Sequence, residues 1–155
     1  MKHIFMDSSP LSLMSQPGMN PNALQIAIWK QDLQSAGHSF YIPEVIDYEV
    51  RRELVRAGKT QGITNLDLLK LTATYVPINS QAMLLAADLW ARARNAGQST
   101  GDPKKLDIDV ILAAQTLTVA AMSGLPLTDF VIVTSNVAHL SRFGVEAKEW
   151  TSFPA

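Results

Sequence analysis

The apolar residues of this chain fall into short runs and into longer stretches with helical spacing, and the two kinds alternate. The short runs are rich in β-branched and aromatic residues, which predicts strands. They are "HIFM" (3–6), "HSFYI" (38–42), "FVIVTS" (130–135) and "VEAKEW" (145–150). The run at 130–135 is almost continuously apolar at its start, as expected of a strand that is buried on both faces.

The longer stretches place apolar residues three or four positions apart, which predicts amphipathic helices. Four of the six open on Asn or Pro, and four close on Gly. They are "NPNALQIAIWKQDLQSAG" (20–37), "PEVIDYEVRRELVRAG" (43–58), "TNLDLLKLTATY" (64–75), "NSQAMLLAADLWARARNAG" (79–97), "LDIDVILAAQTLTVAAMSG" (106–124) and the short "NVAHLSRF" (136–143). The stretch 106–124 is so apolar that we expect a buried central helix. Residues 7–19 and 98–105 are predicted loops.

Strands that alternate with helices predict an α/β fold with a mainly parallel sheet of four to five strands and helices on both faces. This is a three-layer α/β/α sandwich. The consecutive helices at 64–75 and 79–97 are predicted to form a helical hairpin insertion. The chain has 155 residues, of which 47% are hydrophobic and 17% charged. That size and composition predict one globular domain over residues 1–155.

Composition excludes several classes of protein. The formal net charge of -1 lacks the basic excess of a non-specific duplex-binding protein. Without cysteine there is no disulfide and no thiolate site, and the three widely separated histidines make zinc improbable. Asp7 comes too early for a signal-peptide core, and we expect no apolar stretch of membrane-spanning length. These features predict a cytoplasmic protein.

Four polar residues are candidates for a site, and two of them stand where a parallel sheet of this kind binds ligands, beyond the carboxyl ends of its strands. Asp7 directly follows the first strand, and Asn136 follows the strand at 130–135. Glu49 lies on the predicted helix 43–58, and Asp109 lies at the mouth of the apolar helix. Three of them have a plainer explanation. Glu49 suits a salt-bridged surface, and Asn136 suits a helix cap. Asp109 suits a cap or a partner of the helix dipole, although Asp107 has the better position to cap that helix.

Taken together, Asp7, Glu49 and Asp109 would bring three carboxylates to one end of the sheet. Like charges that close would oppose each other, and a divalent cation removes the conflict. Carboxylate oxygens with an amide beside them suit Mg²⁺ or Mn²⁺. Such a site favours hydrolysis of phosphodiester bonds, with the metal activating a water molecule.

The segments that hold these residues resemble the PIN-domain ribonucleases, and in particular the VapC-type toxins of bacterial toxin–antitoxin pairs. The resemblance runs nearly from end to end and keeps the order of the motifs. The matching segments are an opening strand with an Asp and a hydroxyl residue in "IFMDSSPL" (4–11), an acid before a Val-Arg-Arg run in "IPEVIDYEVRREL" (42–54), an Asp at the mouth of an apolar helix in "GDPKKLDIDVILAAQTL" (101–117), and a strand, Thr-x-Asn, short helix and last strand in "VIVTSNVAHLSRFGVEAKEW" (131–150).

The resemblance implies a PIN-like fold and a catalytic site that holds one or two Mg²⁺ or Mn²⁺ ions. It assigns metal-binding and catalytic roles to Asp7, Glu49, Asp109 and Asn136, with Ser8 and Thr134 as supporting hydroxyls. Two positions depart from the family pattern. Ser9 stands where Asn is usual, and Asn136 is often an Asp, so the second ion would be held more weakly.

The resemblance also implies partners. We expect an RNA substrate, a small inhibitory antitoxin, a homodimer and no membrane association. Lys104 and Lys105, in the predicted loop before Asp109, are candidate contacts to RNA phosphates. The basic residues elsewhere are explained equally well as complements of helix ends, and they are Arg51, Arg52, Arg56, Lys59, Arg92 and Arg94.

Two other functions fit parts of the sequence. One is a PIN-like module that is weakly active or inactive and acts in RNA binding or protein interaction, which Ser9 and Asn136 would favour. The other is a phosphatase or receiver domain that uses Asp7 as a nucleophile. The haloacid-dehalogenase pattern needs a second Asp two residues later, where this chain has Ser9. We therefore rank that function last.

Overall fold

The computed structural model describes residues 1–18, 20–97 and 103–154, and it describes no side chains at 103–105. The strands are β1 (His3–Met6), β2 (Ser39–Pro43), β3 (Thr74–Val76), β4 (Phe130–Val133) and β5 (Glu146–Lys148). The helices are α1 (Ser8–Ser15), α2 (Pro21–Ser35), α3 (Glu44–Arg56), α4 (Thr60–Leu69), α5 (Ser80–Asn95), α6 (Pro103–Ser123) and α7 (Val137–Ser141). Short 3₁₀ turns lie at Leu127–Asp129 and Trp150–Ser152.

All five strands are parallel and form one sheet in the order β3-β2-β1-β4-β5. Every residue of β1 and β4 is buried, as their apolar sequences require. The predicted α/β fold with a parallel sheet between helices is confirmed. Strand order reverses between β1 and β4, because the chain first adds β2 and β3 on one side of β1 and later adds β4 and β5 on the other. In such sheets ligands bind at the carboxyl end of this switch point.

Helix α6 packs between the sheet and α5. Leu112 contributes to the core around the strands, whereas Val110 and Ala113 pack into a second cluster with α5. The buried Gln115 accepts a hydrogen bond from the backbone N–H of Val45 at 3.3 Å and donates to the carbonyl of Val76 at 2.7 Å. One polar side chain therefore fixes α6 near the carboxyl ends of β2 and β3.

Helix α6 also corrects an expectation about membranes. The stretch Leu106–Ser123 has the length and composition of a membrane span, with a mean hydropathy of 1.4. The expectation that no stretch reaches such a length is therefore wrong by that measure. In the structure 56% of the stretch is buried against the rest of the chain. A core helix of a soluble protein meets the same criterion.

Residues 8–15 were expected in a loop, but they form helix α1. The side chain of Asp7 caps the helix by accepting the backbone N–H of Ser8 at 2.7 Å. Pro10 lies in the first turn, where its missing N–H costs nothing because the helix has no acceptor for it. The sequence Asp-Ser-Ser-Pro was thus a helix start rather than a turn.

The predicted helix 64–75 and helical hairpin also require correction. Helix α4 ends at Leu69, and Thr74–Val76 forms β3 on the edge of the sheet. A strand therefore separates α4 from α5, and α5 packs against α6 instead. The β-branched and aromatic residues of Thr74–Val76, followed by Pro77, favour a strand, but three residues give too short a pattern to recognise.

Helix α6 begins earlier than expected, at Pro103, a residue that suits the first position of a helix. Lys104 and Lys105 therefore lie in a helical turn and not in a loop, and their side chains lie outside the described residues. The remainder of the predicted loop, 98–102, lies outside them too. Asp107 is one turn inside the helix, so the expectation that it caps the helix is wrong.

Candidate active site

Asp7 lies at the carboxyl end of β1 and is 3% exposed. Its backbone N–H donates to the carbonyl of Val133 at 3.0 Å, which extends the pairing of β1 with β4 by one residue. Its Oδ1 accepts the N–H of Ser8, and its Oδ2 accepts the hydroxyl of Thr134 at 2.6 Å. Both carboxylate oxygens act as acceptors, which is the arrangement that an ionised carboxylate makes.

Thr134 and Asn136 extend this arrangement from the end of β4. Thr134 is 1% exposed, and its Oγ1 also accepts the backbone N–H of Asn136 at 2.9 Å. Because that N–H is a donor, the single hydroxyl proton is the one that goes to Asp7. Hydrogen bonds thus run from Asn136 through Thr134 to Asp7. The side chain of Asn136 does not cap α7, although Asn136 occupies the cap position.

These three residues flank the switch point of the sheet. Met6 pairs with Val133 in register, so the residues that follow them leave the sheet side by side. Parallel strands end at one edge, which brings Asp7 and Thr134 together although 127 positions separate them in sequence. The position is the one at which open α/β sheets bind ligands.

Glu49 approaches this edge from α3. It is half-buried and lines a cavity of about 320 Å³ together with Ser8, Ser9 and residues of the second half of α3. Ser8 donates its backbone N–H to Asp7, so Asp7 adjoins a residue of the lining, although it does not itself line the cavity. The structure therefore brings Glu49, Ser8 and Asp7 to one side of the switch point.

Asp109 is 3% exposed and lies in the second turn of α6. Leu112 and Thr116, one and two helical turns further on, share its side of the helix and are fully buried. This side is therefore the one that packs into the molecule. Buried carboxylates are generally paired or bound to metal.

The donor set suits a hard divalent cation, because it consists of carboxylate oxygens with amide and hydroxyl oxygens beside them. Convergence is incomplete, however. In the described part of the chain no group of three or more acidic, histidine or cysteine side chains stands close enough to hold an ion. The roles of Asp7, Glu49, Asp109 and Asn136 as metal ligands and catalytic residues, and of Ser8 and Thr134 as their support, stay predictions.

Arg51 does not face a substrate, because acids of α3 and α4 bind it. Its guanidinium donates to both oxygens of the buried Asp47, at 3.0 and 2.9 Å, and to Asp67 at 2.7 Å. Lys70 lies 3.5 Å from Asp47 as well. The hydrogen bonds to Asp47 and then to Asp67 raise the pKa of Arg51, and the hydrogen bond from Arg51 lowers the pKa of Asp67. The cluster joins α3 to α4.

Other arginines on these helices are also engaged locally. Arg56 pairs with Glu53 at 2.9 Å, and Arg52 stacks over the ring of Tyr48 with 5.2 Å to its centroid. Arg92 pairs with Asp88 one turn earlier on α5. The structural explanation of these residues, as partners of neighbouring side chains, is therefore favoured over a track for phosphates.

Sequence reasoning missed two features that position the site. The first is α1, which Asp7 caps, and its pattern of a cap residue followed by a first-turn proline was visible in the sequence. The second is the Asp47–Arg51 pair. Its spacing of four residues is that of an ordinary surface pair, so the burial of Asp47 was not predictable from the pattern.

Solved structures with this fold include toxin–antitoxin complexes from three bacteria. The chain superimposes on a chain of VapBC2 from Rickettsia felis, bound to a DNA fragment from their promoter, with a TM-score of 0.69, 12% identity, and coverage of 96% of this chain and 98% of that one. For VapBC-1 from nontypeable Haemophilus influenzae the TM-score is 0.63 at 16% identity, with coverage of 98% of this chain and 100% of that one. For FitAcB from Neisseria gonorrhoeae the TM-score is 0.65 at 15% identity, with coverage of 97% of this chain and 99% of that one.

The chain therefore has a VapC-like PIN-domain fold over nearly its whole length. No protein-family model matches the sequence, and no curated protein matches it. At identities of 12 to 16% the likeness extends to the fold and not to the chemistry of individual residues. Function has to be argued from the site.

Proposed function

We propose that this protein is a metal-dependent endoribonuclease that hydrolyses phosphodiester bonds in RNA, and that it is the toxin of a toxin–antitoxin pair in the cytoplasm. The observation that carries the proposal is the buried Asp7 at the switch point, bound by Thr134 and by the backbone N–H of Ser8, which lines a cavity together with Glu49. A carboxylate fixed at this point of a parallel sheet, with a second acid beside it, is suited to bind a cation next to a phosphate.

Asp7 and Asp109 would hold the ion or ions, Glu49 would complete the acidic set through its flexible side chain, and Asn136 would add a neutral oxygen. Mg²⁺ or Mn²⁺ would supply an activated water molecule and stabilise charge on the scissile phosphate. Thr134 orients Asp7, because its only proton is committed to Oδ2. The backbone N–H of Ser8 fixes the other oxygen.

A toxin role is supported by the VapBC and FitAB structures with the same fold, which hold a partner protein with the chain that matches. We propose a small antitoxin and a second copy of this chain as partners. Large apolar side chains are exposed on α5, with Leu84 74% and Met83 43% exposed. Light scattering of the purified protein tests the dimer, and a monomer at micromolar concentration would count against it.

Cleavage of a mixed pool of structured RNAs tests the nuclease. The wild type should cleave with Mg²⁺ or Mn²⁺ and not with EDTA, and Asp7→Asn and Asp109→Asn should each lower the rate at least a hundredfold. Asp32→Asn is a matched control, because Asp32 is an exposed acid on α2. Activity that survives in EDTA, or in both site variants, would refute the proposal.

An inactive PIN-like module that binds RNA or protein is the second candidate. The incomplete convergence of acidic side chains among the described residues favours it. It predicts a folded wild type, free of bound partner and supplied with Mn²⁺, that cleaves no RNA in the pool. That result would favour the binding module over the nuclease.

A further inference from the structure

Two cavities on the side of α1, α3 and α4 share part of their lining and therefore lie next to each other. The first is the 320 Å³ cavity that begins at Glu49 and Ser8. The second has a volume of about 460 Å³ and extends to the start of α4. Ser12, Leu54 and Lys59 line both cavities. We call the two cavities together the trough. The trough extends from Glu49 and Ser8 to the space between the end of α1 and the start of α4.

Lys59 is the charged residue at the junction of the two cavities. It is exposed, and none of the described residues forms an ion pair with it. The nearby Arg51 and Arg56, in contrast, are bound to acids of α3 and α4. Lys59 is therefore open to an anionic ligand in the trough. Gly58, with φ of +66°, reverses the chain between α3 and α4 and so sets its position.

The cavity beyond Lys59 is lined by small and neutral polar groups. Ser15, Gln16, Thr60 and Gln61 supply donors and acceptors, and Leu54 and Pro17 supply apolar surface. Its volume lies within the range of sites that hold small ligands. No aromatic side chain lines it among the described residues. A nucleic-acid strand here would be held through phosphate and sugar, with little selection of bases.

We propose that the trough binds the single-stranded RNA segment next to the scissile phosphate, with Lys59 contacting a neighbouring phosphate group. This inference rests on the proposed nuclease, because it extends the substrate outward from the acidic site. Charge supports RNA as the occupant. The inner end carries the acids that would bind cations, and the junction carries a cation that can contact a phosphate. No acid lines the outer cavity among the described residues, so nothing there repels the strand.

Binding of a fluorescein-labelled ten-nucleotide RNA of random sequence tests the trough in EDTA, where cleavage cannot interfere. Each lysine–phosphate contact with a single strand contributes about 0.7 to the slope of log affinity against log salt concentration. Lys59→Gln should therefore flatten the slope by about 0.7 and weaken binding about fivefold at 0.1 M salt. Lys2→Gln is the matched control, since Lys2 precedes β1 at the opposite end of the sheet, and it should bind like the wild type.

A second pair of variants tests the path without removing a lysine. Ser12 is exposed on α1 and lines both cavities. Ser12→Glu should weaken binding through repulsion of phosphate, whereas Ser12→Gln, which has almost the same size, should weaken it much less. Circular dichroism confirms that both variants fold.

The outcomes separate the trough from the nuclease. Three results would overturn the proposal that the trough binds RNA, even where the protein cleaves RNA. They are unchanged binding by Lys59→Gln, an equal loss of binding in Lys2→Gln, and a wild type that does not bind the RNA. A protein occupant would then replace RNA as the explanation. If the trough variants behave as expected and no metal supports cleavage, the nuclease fails and the trough is the RNA site of a binding module.

Discussion

Replacing Thr134 by Val tests whether the Asp7 arrangement is as tightly built as the distances indicate. Valine has nearly the same shape but no hydroxyl, so Asp7 Oδ2 loses its donor and the N–H of Asn136 loses its acceptor. Both Asp7 and Thr134 are at most 3% exposed, so water cannot readily replace the lost bond. A hydrogen bond to a charged group contributes about 1.5–3 kcal/mol, and we expect the free energy of unfolding to fall by about that amount.

The assay is urea denaturation of the wild type and the variant. Their free energies of unfolding are comparable when the two m-values agree. For a domain of this size the expected loss lowers the melting temperature by roughly 3 to 12 °C. Thr116→Val is the matched control. Thr116 is fully buried, but its hydroxyl donates only to the carbonyl of Leu112 one turn earlier, so its loss should cost no more than about 1 kcal/mol. Equal losses in the two variants would refute the reasoning.

Two further predictions concern the chain around the trough and α4. Gly58→Ala should lower the free energy of unfolding by about 1–2 kcal/mol, because a Cβ there meets open space but the backbone is left-handed. Gly18→Ala, with open space at an ordinary φ, should cost nothing in the same urea titration. The hydrogen bond from Arg51 holds the pKa of Asp67 below its ordinary 3.8. This contribution to stability is therefore complete above the unfolded pKa and is lost as the pH falls through the lowered folded value. Asp67→Asn should be less stable than the wild type at pH 6, and a gap that does not shrink by pH 2.5 would contradict this assignment.

The part of the site that lies on strands was predictable, and the part on helices was less so. Strands of a parallel sheet end at one edge, so Asp7, Thr134 and Asn136 had to be neighbours once β1 and β4 were recognised. Glu49 and Asp109 depend on the rotation of α3 and α6 about their own axes. That rotation follows from packing contacts such as those of Gln115, which bind α6 to two strand ends, and no sequence period specifies them.

Short or polar elements were the ones missed. Helix α1 has only eight residues and a polar amino end, so its apolar positions were too few to show a helical period. Strand β3 has three residues and is half-exposed, so alternation could not reveal it. In both cases the neighbours decide the structure. α1 packs against α2, α3 and α4, and β3 is held by pairing with β2.

Asp7 ends a strand, begins a helix and lies at the candidate metal site, and these roles are compatible in one carboxylate. Oδ1 caps α1, Oδ2 accepts Thr134, and each oxygen keeps a second lone pair that an ion can approach. Asn caps helices as well as Asp does. Asp7→Asn therefore keeps the cap of α1 through Oδ1, but it removes the negative charge and replaces the Oδ2 acceptor of Thr134 by an amide N–H₂ group. A variant that is inactive while urea denaturation shows it folded would separate the chemical role of Asp7 from its role as a helix cap. Asp7→Ala would remove both, and its inactivity alone would not distinguish them.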